Sequence, residues 1–315
     1  MLASLLASLL AWIQLLRLPN HATAVADVLA GYVIVSQART IAWPSQSLWW
    51  AILASLAFYA AGMVLNDVFD VEVDRRERPE RPLPSGLIAL GTAARVGNGL
   101  LAMGGVFACA TAFLSGHAAV ALVGAALTSA IWIYDRQAKA TILGPAVMGL
   151  CRSLNWLLGM TAAGGPTEQY EWLLPIGMGL YIAGIALFAR DEAGRSRTGT
   201  LCTATLVMLA GLLAAGAHTY FLADAGGGST WLRAGQGSSW FLLWGVLSAS
   251  ILLRNVLAIV EPTSGRVQLA VGNAIMSIIT LDAVLVLAAC GEQWSIVLLA
   301  LLAPFLLGRR LVAPT

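Results

Sequence analysis

Charged side chains are scarce in this 315-residue chain: lysine, arginine, aspartate and glutamate make up 11% of it, against about 25% in a typical soluble domain. Hydrophobic residues make up 59%, and the mean hydropathy is +0.80. This composition excludes a water-soluble globular domain. The net charge of +2 also leaves no basic stripe for nucleic acid. We therefore expect an integral membrane protein whose main environment is the lipid bilayer.

Paired metal or redox ligands are missing as well. Each of the four cysteines falls in an apolar stretch, and none has a second cysteine or a histidine at the spacing of a zinc site or a redox dithiol. We expect neither structural disulfides nor zinc. The first 16 residues lack the basic start of a secretory signal, because Arg17 follows the apolar run. We expect this run to remain in the protein, either as an interfacial helix or as the lead-in to the first span.

Strand-like alternation is absent, and long apolar runs take its place. Nine runs have the length of a membrane span: 20–37, 47–66, 88–114, 117–134, 141–163, 172–189, 200–222, 239–260 and 268–289. A tenth, 294–308, is short for a span and fits a tilted or half-crossing C-terminal helix. Backbone in lipid must satisfy its own hydrogen bonds, so these runs are helices. We predict an all-α polytopic membrane protein, with residues 1–315 as a single domain.

The basic residues are distributed asymmetrically between the loops. If the N-terminus is cytoplasmic, the connections after the even-numbered spans and the C-terminus hold twelve basic residues, and the opposite side holds only Arg39 and Arg233. This positive-inside pattern predicts a cytoplasmic N-terminus and cytoplasmic even-numbered loops, and we expect the inner membrane of a bacterium. Ten of the 16 acidic residues lie in the same loops. Carboxylates contribute little to orientation, so we interpret these acids as chemical groups.

Three aspartates stand at the cytoplasmic end of the second span. On a helix, Asp67, Asp70 and Asp74 share one face at i, i+3 and i+7, while Glu72 points the other way. Hard oxygen ligands at the edge of the membrane suit Mg²⁺, particularly where substrate phosphate completes the coordination. The competing interpretation is a solvated helix end whose acids pair with the arginines that follow. We favour the metal site, because ion pairing does not require this spacing.

The motif Asn66-Asp67-x-x-Asp70-x-x-x-Asp74, followed by Arg-Pro-Glu-Arg-Pro-Leu-Pro-Ser-Gly at 78–86, resembles the UbiA superfamily of intramembrane prenyltransferases. Tyr-Asp at 134–135 and Gly-Leu-Cys-Arg at 149–152 resemble its divergent Ebo-cluster branch. The resemblance implies about nine helices around a central, lipid-open cavity with cytoplasmic cap loops, and an isoprenyl diphosphate donor. It also implies that Asn66 and the three aspartates are catalytic and that the aspartates bind Mg²⁺ as cofactor.

The second family motif is altered in this chain. Residues 190–195 read Arg-Asp-Glu-Ala-Gly-Arg, where the family has two aspartates separated by three residues, so Arg195 occupies the second aspartate's place. Two interpretations stay open. Either Asp191 and Glu192 are catalytic and Asp191 is a ligand of a second Mg²⁺, or Asp191 and Arg195 form an ordinary surface ion pair.

Polar residues near these motifs are candidates for substrate binding. Lys139, the only lysine, follows Tyr134 after the fourth span and either binds a diphosphate oxygen or merely marks the cytoplasmic side. Arg152 and Asn155 lie inside the fifth span, where a charge is costly and usually faces a cavity. The remaining candidates flank the first span or follow the first aspartate motif: Arg17, Asn20, Arg78 and Arg81. Asn20 has the alternative role of a helix cap.

Two intramembrane acids, Asp27 and Asp282, have no partner evident in the sequence. Each either pairs with Arg152 or other polar neighbours, or stays protonated. An ion-coupled transporter that uses these two acids is a weak third hypothesis for the function.

The resemblance predicts a Mg²⁺-dependent transferase of isoprenoid biosynthesis that moves an isoprenyl group from an isoprenyl diphosphate to a small cyclic acceptor. An aromatic acceptor is the default, and a hydroxylated cyclitol or a sugar-like acceptor stays open. The rival hypothesis is a non-catalytic protein of the same fold that binds or transports an isoprenoid conjugate. Arg195 favours this rival, and the intact first motif opposes it.

Overall fold

The computed structural model describes residues 2–38, 45–190, 197–230 and 232–311, and the regular structure in these ranges is helical. The helices are α1 (Leu2–Leu16), α2 (His21–Ala38), α3 (Gln46–Glu77), α4 (Leu90–Ser115), α5 (Ala119–Ile133), α6 (Gly144–Ala162), α7 (Leu173–Phe188), α8 (Thr198–Asp224), α9 (Gly237–Val260), α10 (Ser264–Cys290), α11 (Glu292–Ala300) and α12 (Leu302–Leu311).

The predicted spans coincide with the helices α2 to α10. Eight helical stretches of the described chain are long and apolar enough to cross a membrane. The helix α6 has 19 residues but is not among the eight, because Arg152 and Asn155 interrupt its apolar sequence. The predicted all-helical polytopic bundle is confirmed, and the protein is an integral membrane protein.

The N-terminal run forms a helix of its own. The apolar stretch Ser8–Gln37 is continuous in sequence, but the backbone breaks at Arg17, whose φ of 48° is left-handed. The 3-10 turn Leu18–Asn20 follows, so α1 does not continue into α2. Ala11 and Leu15 of α1 are buried in a hydrophobic cluster that includes Val64 of α3. The break places Arg17 beside Asp67, in the C-terminal part of α3.

The helices α2 and α6 approach each other closely at two glycines. A Cβ atom at Gly159 would lie 2.1 Å from the carbonyl oxygen of Val28, and one at Gly31 would lie 2.7 Å from the carbonyl oxygen of Trp156. No larger side chain fits at either position without moving a backbone. Small residues of this kind allow membrane helices to pack at short distance, and here they fix the position of α6 against α2.

A π-helical turn, Tyr134–Ala138, follows α5. The backbone N–H of Lys139 donates to the carbonyl oxygen of Tyr134 at 3.0 Å, which is the i to i+5 bond of a π turn. The wider turn changes the direction in which the side chains after α5 point. It brings Lys139 to the end of α3, as the next subsection describes.

The C-terminal segment is two short helices. The chain turns at Leu301, between α11 and α12, and Pro304 lies in the first turn of α12, where a proline is tolerated. The helix α12 packs against α2 and the turn Leu18–Asn20. The predicted short tenth segment is therefore helical but broken.

Candidate active site

A cavity of about 530 Å³ lies among α2, α3, α5, α6, α7 and α10. Its polar and charged lining residues are Arg17, Asn20, Thr23, Ser55, Tyr59, Asn66, Tyr134, Asp135, Lys139, Arg152, Asn155 and Arg190. Apolar side chains such as Phe58, Leu127 and Ile278 supply much of the remaining wall. Among the described residues that line the cavity, four are basic and only Asp135 is acidic. The lining therefore suits a ligand with an anionic group and an apolar part.

The aspartates at the end of α3 lie behind this basic lining. Asp67 and Asp74 are both buried. Arg81 Nη1 donates to both carboxylate oxygens of Asp74, at 3.0 and 2.9 Å, and lies 4.0 Å from Asp67 Oδ1. Arg17 Nη2 approaches Asp67 Oδ1 at 3.2 Å. The proline-containing loop after α3 thus folds back and places Arg81 on the carboxylates.

Asp70 faces a different partner. Lys139 Nζ lies 2.7 Å from Asp70 Oδ1, and it donates to the carbonyl oxygen of Asn66 at 3.1 Å and to Asn66 Oδ1 at 3.4 Å. The ammonium group therefore links the π turn after α5 to the end of α3. On the exposed side of α3, Arg75 Nη1 pairs with Glu72 Oε1 at 2.5 Å, so Glu72 points away from the other acids as predicted.

The donor atoms at this end of the cavity are carboxylate oxygens, which are of the type that binds Mg²⁺. Among the described residues, no three His, Cys, Asp or Glu side chains already converge on a point that could hold a metal ion. The oxygens are engaged by Arg17, Arg81 and Lys139 instead. Carboxylate oxygens are nevertheless the ligands that Mg²⁺ prefers, and Asp135 has a buried oxygen, Oδ2, without a hydrogen-bond partner. The assignment of Asp67, Asp70 and Asp74 as ligands stays a prediction.

The floor of the cavity is a buried polar network. Arg152 Nη2 lies 2.6 Å from Asp27 Oδ1 and donates to the carbonyl oxygen of Thr23 at 3.1 Å. Asn155 Nδ2 donates to Asp27 Oδ2 at 2.9 Å, and Ser55 donates to Asn155 Oδ1 at 2.7 Å. Asp27 therefore pairs with Arg152, which is one of the alternatives left open by the sequence. Asp282 of α10 is also fully buried.

The structure gathers most of the predicted substrate-binding residues and separates others. The cavity is lined by Arg17, Asn20, Tyr134, Lys139, Arg152 and Asn155. Arg81 is buried on Asp74 and does not line the cavity, and Arg78 is exposed outside it. Asp191, Glu192 and Arg195 lie outside the described residues, so their roles stay predictions.

Five polar or charged lining residues were not among the predicted site residues: Thr23, Ser55, Tyr59, Asp135 and Arg190. Ser55 and Tyr59 are one helical turn apart on α3, a spacing that could have marked them as one polar patch. Asp135 directly follows Tyr134, and an acid in an otherwise basic loop was a usable signal.

The sequence profile of the UbiA prenyltransferase family matches residues 24–279. Digeranylgeranylglyceryl phosphate synthase of Sulfolobus acidocaldarius is 31% identical over 161 residues, 50% of this chain and 54% of that protein. The synthase of the same name from Methanoculleus marisnigri is 34% identical over 158 residues, 50% of this chain and 53% of that protein. This chain thus spans about half the length of the curated relatives it matches.

Solved structures share the fold at low sequence identity. A structure from work on digeranylgeranylglyceryl phosphate synthase in membranes superposes with a TM-score of 0.64 and 20% identity, covering 90% of this chain and 99% of that one. A UbiA homolog from Archaeoglobus fulgidus, bound to GPP and Mg²⁺, gives a TM-score of 0.59 and 13% identity, covering 85% and 99%. The helical arrangement is therefore common to all three proteins.

Proposed function

The chain belongs to the UbiA prenyltransferase family, and on that premise we propose that it transfers an isoprenyl group from an isoprenyl diphosphate to a small hydroxylated acceptor, with Mg²⁺ as cofactor. The observation that carries the proposal is the cavity, which has apolar walls. One end of it, which we call the mouth, carries Arg17 and Lys139, each paired with an aspartate of α3. An isoprenyl diphosphate matches both features, because its diphosphate is anionic and its chain is apolar.

The residues at the mouth would bind and neutralise the diphosphate. Arg17 and Lys139 line the cavity and can donate to phosphate oxygens, and Arg190 lies on the same wall. When they do, Asp67 and Asp70 are free to hold Mg²⁺, with Asp74 and Asp191 as the further predicted ligands. Bound Mg²⁺ would stabilise the negative charge that develops on the leaving diphosphate. The apolar walls keep water from the allylic carbon.

The floor would hold the acceptor. Thr23, Ser55, Arg152 and Asn155 present hydroxyl, guanidinium and amide groups to the cavity, which suit hydroxyl or phosphate groups better than a plain aromatic ring. The matched relatives are named for digeranylgeranylglyceryl phosphate, a product with a glyceryl phosphate part. We therefore place a polyol or its phosphate ahead of the aromatic acceptor that the resemblance suggests by default.

The proposed topology keeps the N-terminus and both acidic loops on the cytoplasmic side. It rests on the positive-inside pattern of the loops. In this orientation a soluble acceptor and free Mg²⁺ reach the cavity from the cytoplasm, while the donor chain stays among the helices.

The test is transfer by the purified full-length protein in lipid nanodiscs. Radiolabelled geranylgeranyl diphosphate is supplied with Mg²⁺ and, separately, glyceryl phosphate, a cyclitol and 4-hydroxybenzoate. We expect a labelled lipid product with a hydroxylated acceptor, loss of product with EDTA, and loss of product in Asp67→Asn. The matched control, Glu72→Gln, changes an acid on the opposite, exposed side of α3 and should keep activity. Donor binding without turnover on any acceptor would instead support the carrier hypothesis.

A further inference from the structure

Asp135 occupies an unusual position for an acid next to a membrane span. It lies in the π turn after α5, lines the cavity, and is only 2% exposed. Its neighbour Arg136 turns elsewhere, with its guanidinium carbon 4.6 Å from the centre of the Trp132 ring. The adjacent base therefore stacks on an aromatic ring and is not aimed at the carboxylate.

One oxygen of this carboxylate, Oδ2, is buried and has no hydrogen-bond partner. A buried carboxylate without a partner is costly, and such a group in a folded protein calls for an explanation such as an ion. The charged groups that act on Asp135 are Lys139, Asp70, Asp67 and Arg17. Two of these four are acids, so the surroundings do not supply the missing positive charge.

The ion pairs at the mouth also leave Asp135 without a basic partner. Asp67 pairs with Arg17, Asp70 with Lys139, and Asp74 with Arg81. Asp135 is a fourth acid at this end of the cavity, and none of the ion pairs in the described part of the chain includes it. Lys139, the nearest candidate, already contacts Asp70 and two oxygens of Asn66.

We propose that Asp135 is a ligand of a divalent cation at the mouth of the cavity, in addition to the aspartates of α3. The site takes Mg²⁺ or Mn²⁺, because its donors are carboxylate oxygens and its basic neighbours can bind the phosphate that accompanies the ion. The proposal rests on the proposed function, since it assumes that an ion and a diphosphate occupy this end of the cavity. It adds a ligand from the π turn after α5 to a site otherwise built from α3.

The test measures Mn²⁺ binding directly and does not depend on turnover. The full-length protein in nanodiscs is titrated with Mn²⁺ in the presence of inorganic diphosphate, and free Mn²⁺ is followed by electron paramagnetic resonance. We expect Asp135→Asn to weaken Mn²⁺ binding about tenfold, since ligand charge sets the affinity of such sites. Arg136→Gln, one position along the same turn, is the matched control and should bind Mn²⁺ like the wild type.

A thermal unfolding series separates a ligand from a structural group. An ion that binds only the folded state raises Tm according to its affinity, so the Mn²⁺-induced rise should be smaller in Asp135→Asn. Without Mn²⁺ the variant should unfold close to the wild-type Tm, because burial disfavours the charged carboxylate when no ion is bound and asparagine has nearly the same shape. A Tm well below the wild type in both Asp135→Asn and Asp135→Ser would overturn the proposal, because the acid would then serve the fold.

The outcomes also distinguish this proposal from the broader one. Wild-type affinity in Asp135→Asn, together with lost affinity in Asp67→Asn, would contradict the Asp135 assignment and leave the Mg²⁺-dependent transferase intact. Absence of Mn²⁺ binding in the wild-type protein would contradict both.

Discussion

The mouth and the floor of the cavity both pair acids with bases, but the two regions are built differently. At the mouth, the Asp74–Arg81 pair is buried, but the side chains of Lys139 and Asp70 are 18% and 29% exposed, and that of Arg17 is 35% exposed. At the floor, Asp27 is fully buried and the Arg152 side chain is 8% exposed. Pairs in contact with water are weak and exchange partners readily, whereas breaking a buried pair is costly. The mouth is therefore suited to binding ions, and the floor to fixing a shape.

The largest effect should come from breaking the pair at the floor. Arg152→Ala leaves Asp27 as an uncompensated buried charge, and we expect a loss of about 3–5 kcal/mol in the free energy of unfolding. Unfolding in mild detergent with increasing denaturant measures it. The double variant Arg152→Met with Asp27→Asn removes both charges and should recover much of this loss. If Arg152→Ala were as stable as the wild type, the buried pair at the floor would not fix the structure as we infer.

Asp67→Asn should have the next largest effect, and this effect should be on catalytic activity, not on stability. Loss of charge stabilisation of the leaving group costs about 10²–10³-fold in kcat. Steady-state kinetics with labelled donor measures this loss, and circular dichroism confirms that the helices remain. If Asp67→Asn transferred isoprenyl groups at the wild-type rate, the α3 aspartates would have no part in catalysis.

Lys139→Gln should have a smaller effect that falls mainly on donor binding. Lys139 contacts Asp70 and Asn66 and lines the cavity, so under the proposed function its loss would remove one charge-assisted bond to the diphosphate. We expect KM for the donor to rise about tenfold, in line with the strength of a bond to a charged group. Lys139→Arg keeps the charge and should recover part of the affinity. An unchanged KM in Lys139→Gln would mean that this lysine only marks the cytoplasmic side.

The smallest effect should come from Glu72→Gln. The Glu72 and Arg75 side chains are 71% and 51% exposed, and exposed pairs contribute about 0–1 kcal/mol. Neither the unfolding midpoint nor the transfer rate should change measurably. A large loss of activity in this variant would contradict the assignment of catalysis to the face of α3 that carries Asp67, Asp70 and Asp74.

The sequence predicts the helices well because the length of an apolar run is a local signal. It places the second span at 47–66, whereas α3 continues to Glu77, because the acidic motif extends the helix beyond the apolar run. The left-handed residue at Arg17 and the π turn after α5 were not predicted. Both depend on how neighbouring segments pack, which no local pattern records.

The sequence predicts which residues belong to the candidate site, but it does not predict which acid pairs with which base. The sequence singles out Lys139 and Arg152 as candidates, and both line the cavity. The proline-containing sequence after α3 predicts a cap loop that carries Arg81 over the carboxylates, but it does not show that Arg81 pairs with Asp74. Nor can the sequence assign Asp27 to Arg152, since that pairing depends on the register of α2 against α6.

That register has a practical consequence for anyone who wishes to redesign the proposed acceptor pocket. Thr23 and Asp27 belong to α2, and Arg152 and Asn155 belong to α6, so the four groups meet only because Gly31 and Gly159 let the two backbones touch. A single methyl group at Gly159 would push against the backbone of Val28, the neighbour of Asp27, and so move α2 away from α6. Engineering of acceptor choice should therefore leave both glycines untouched and vary the polar side chains themselves.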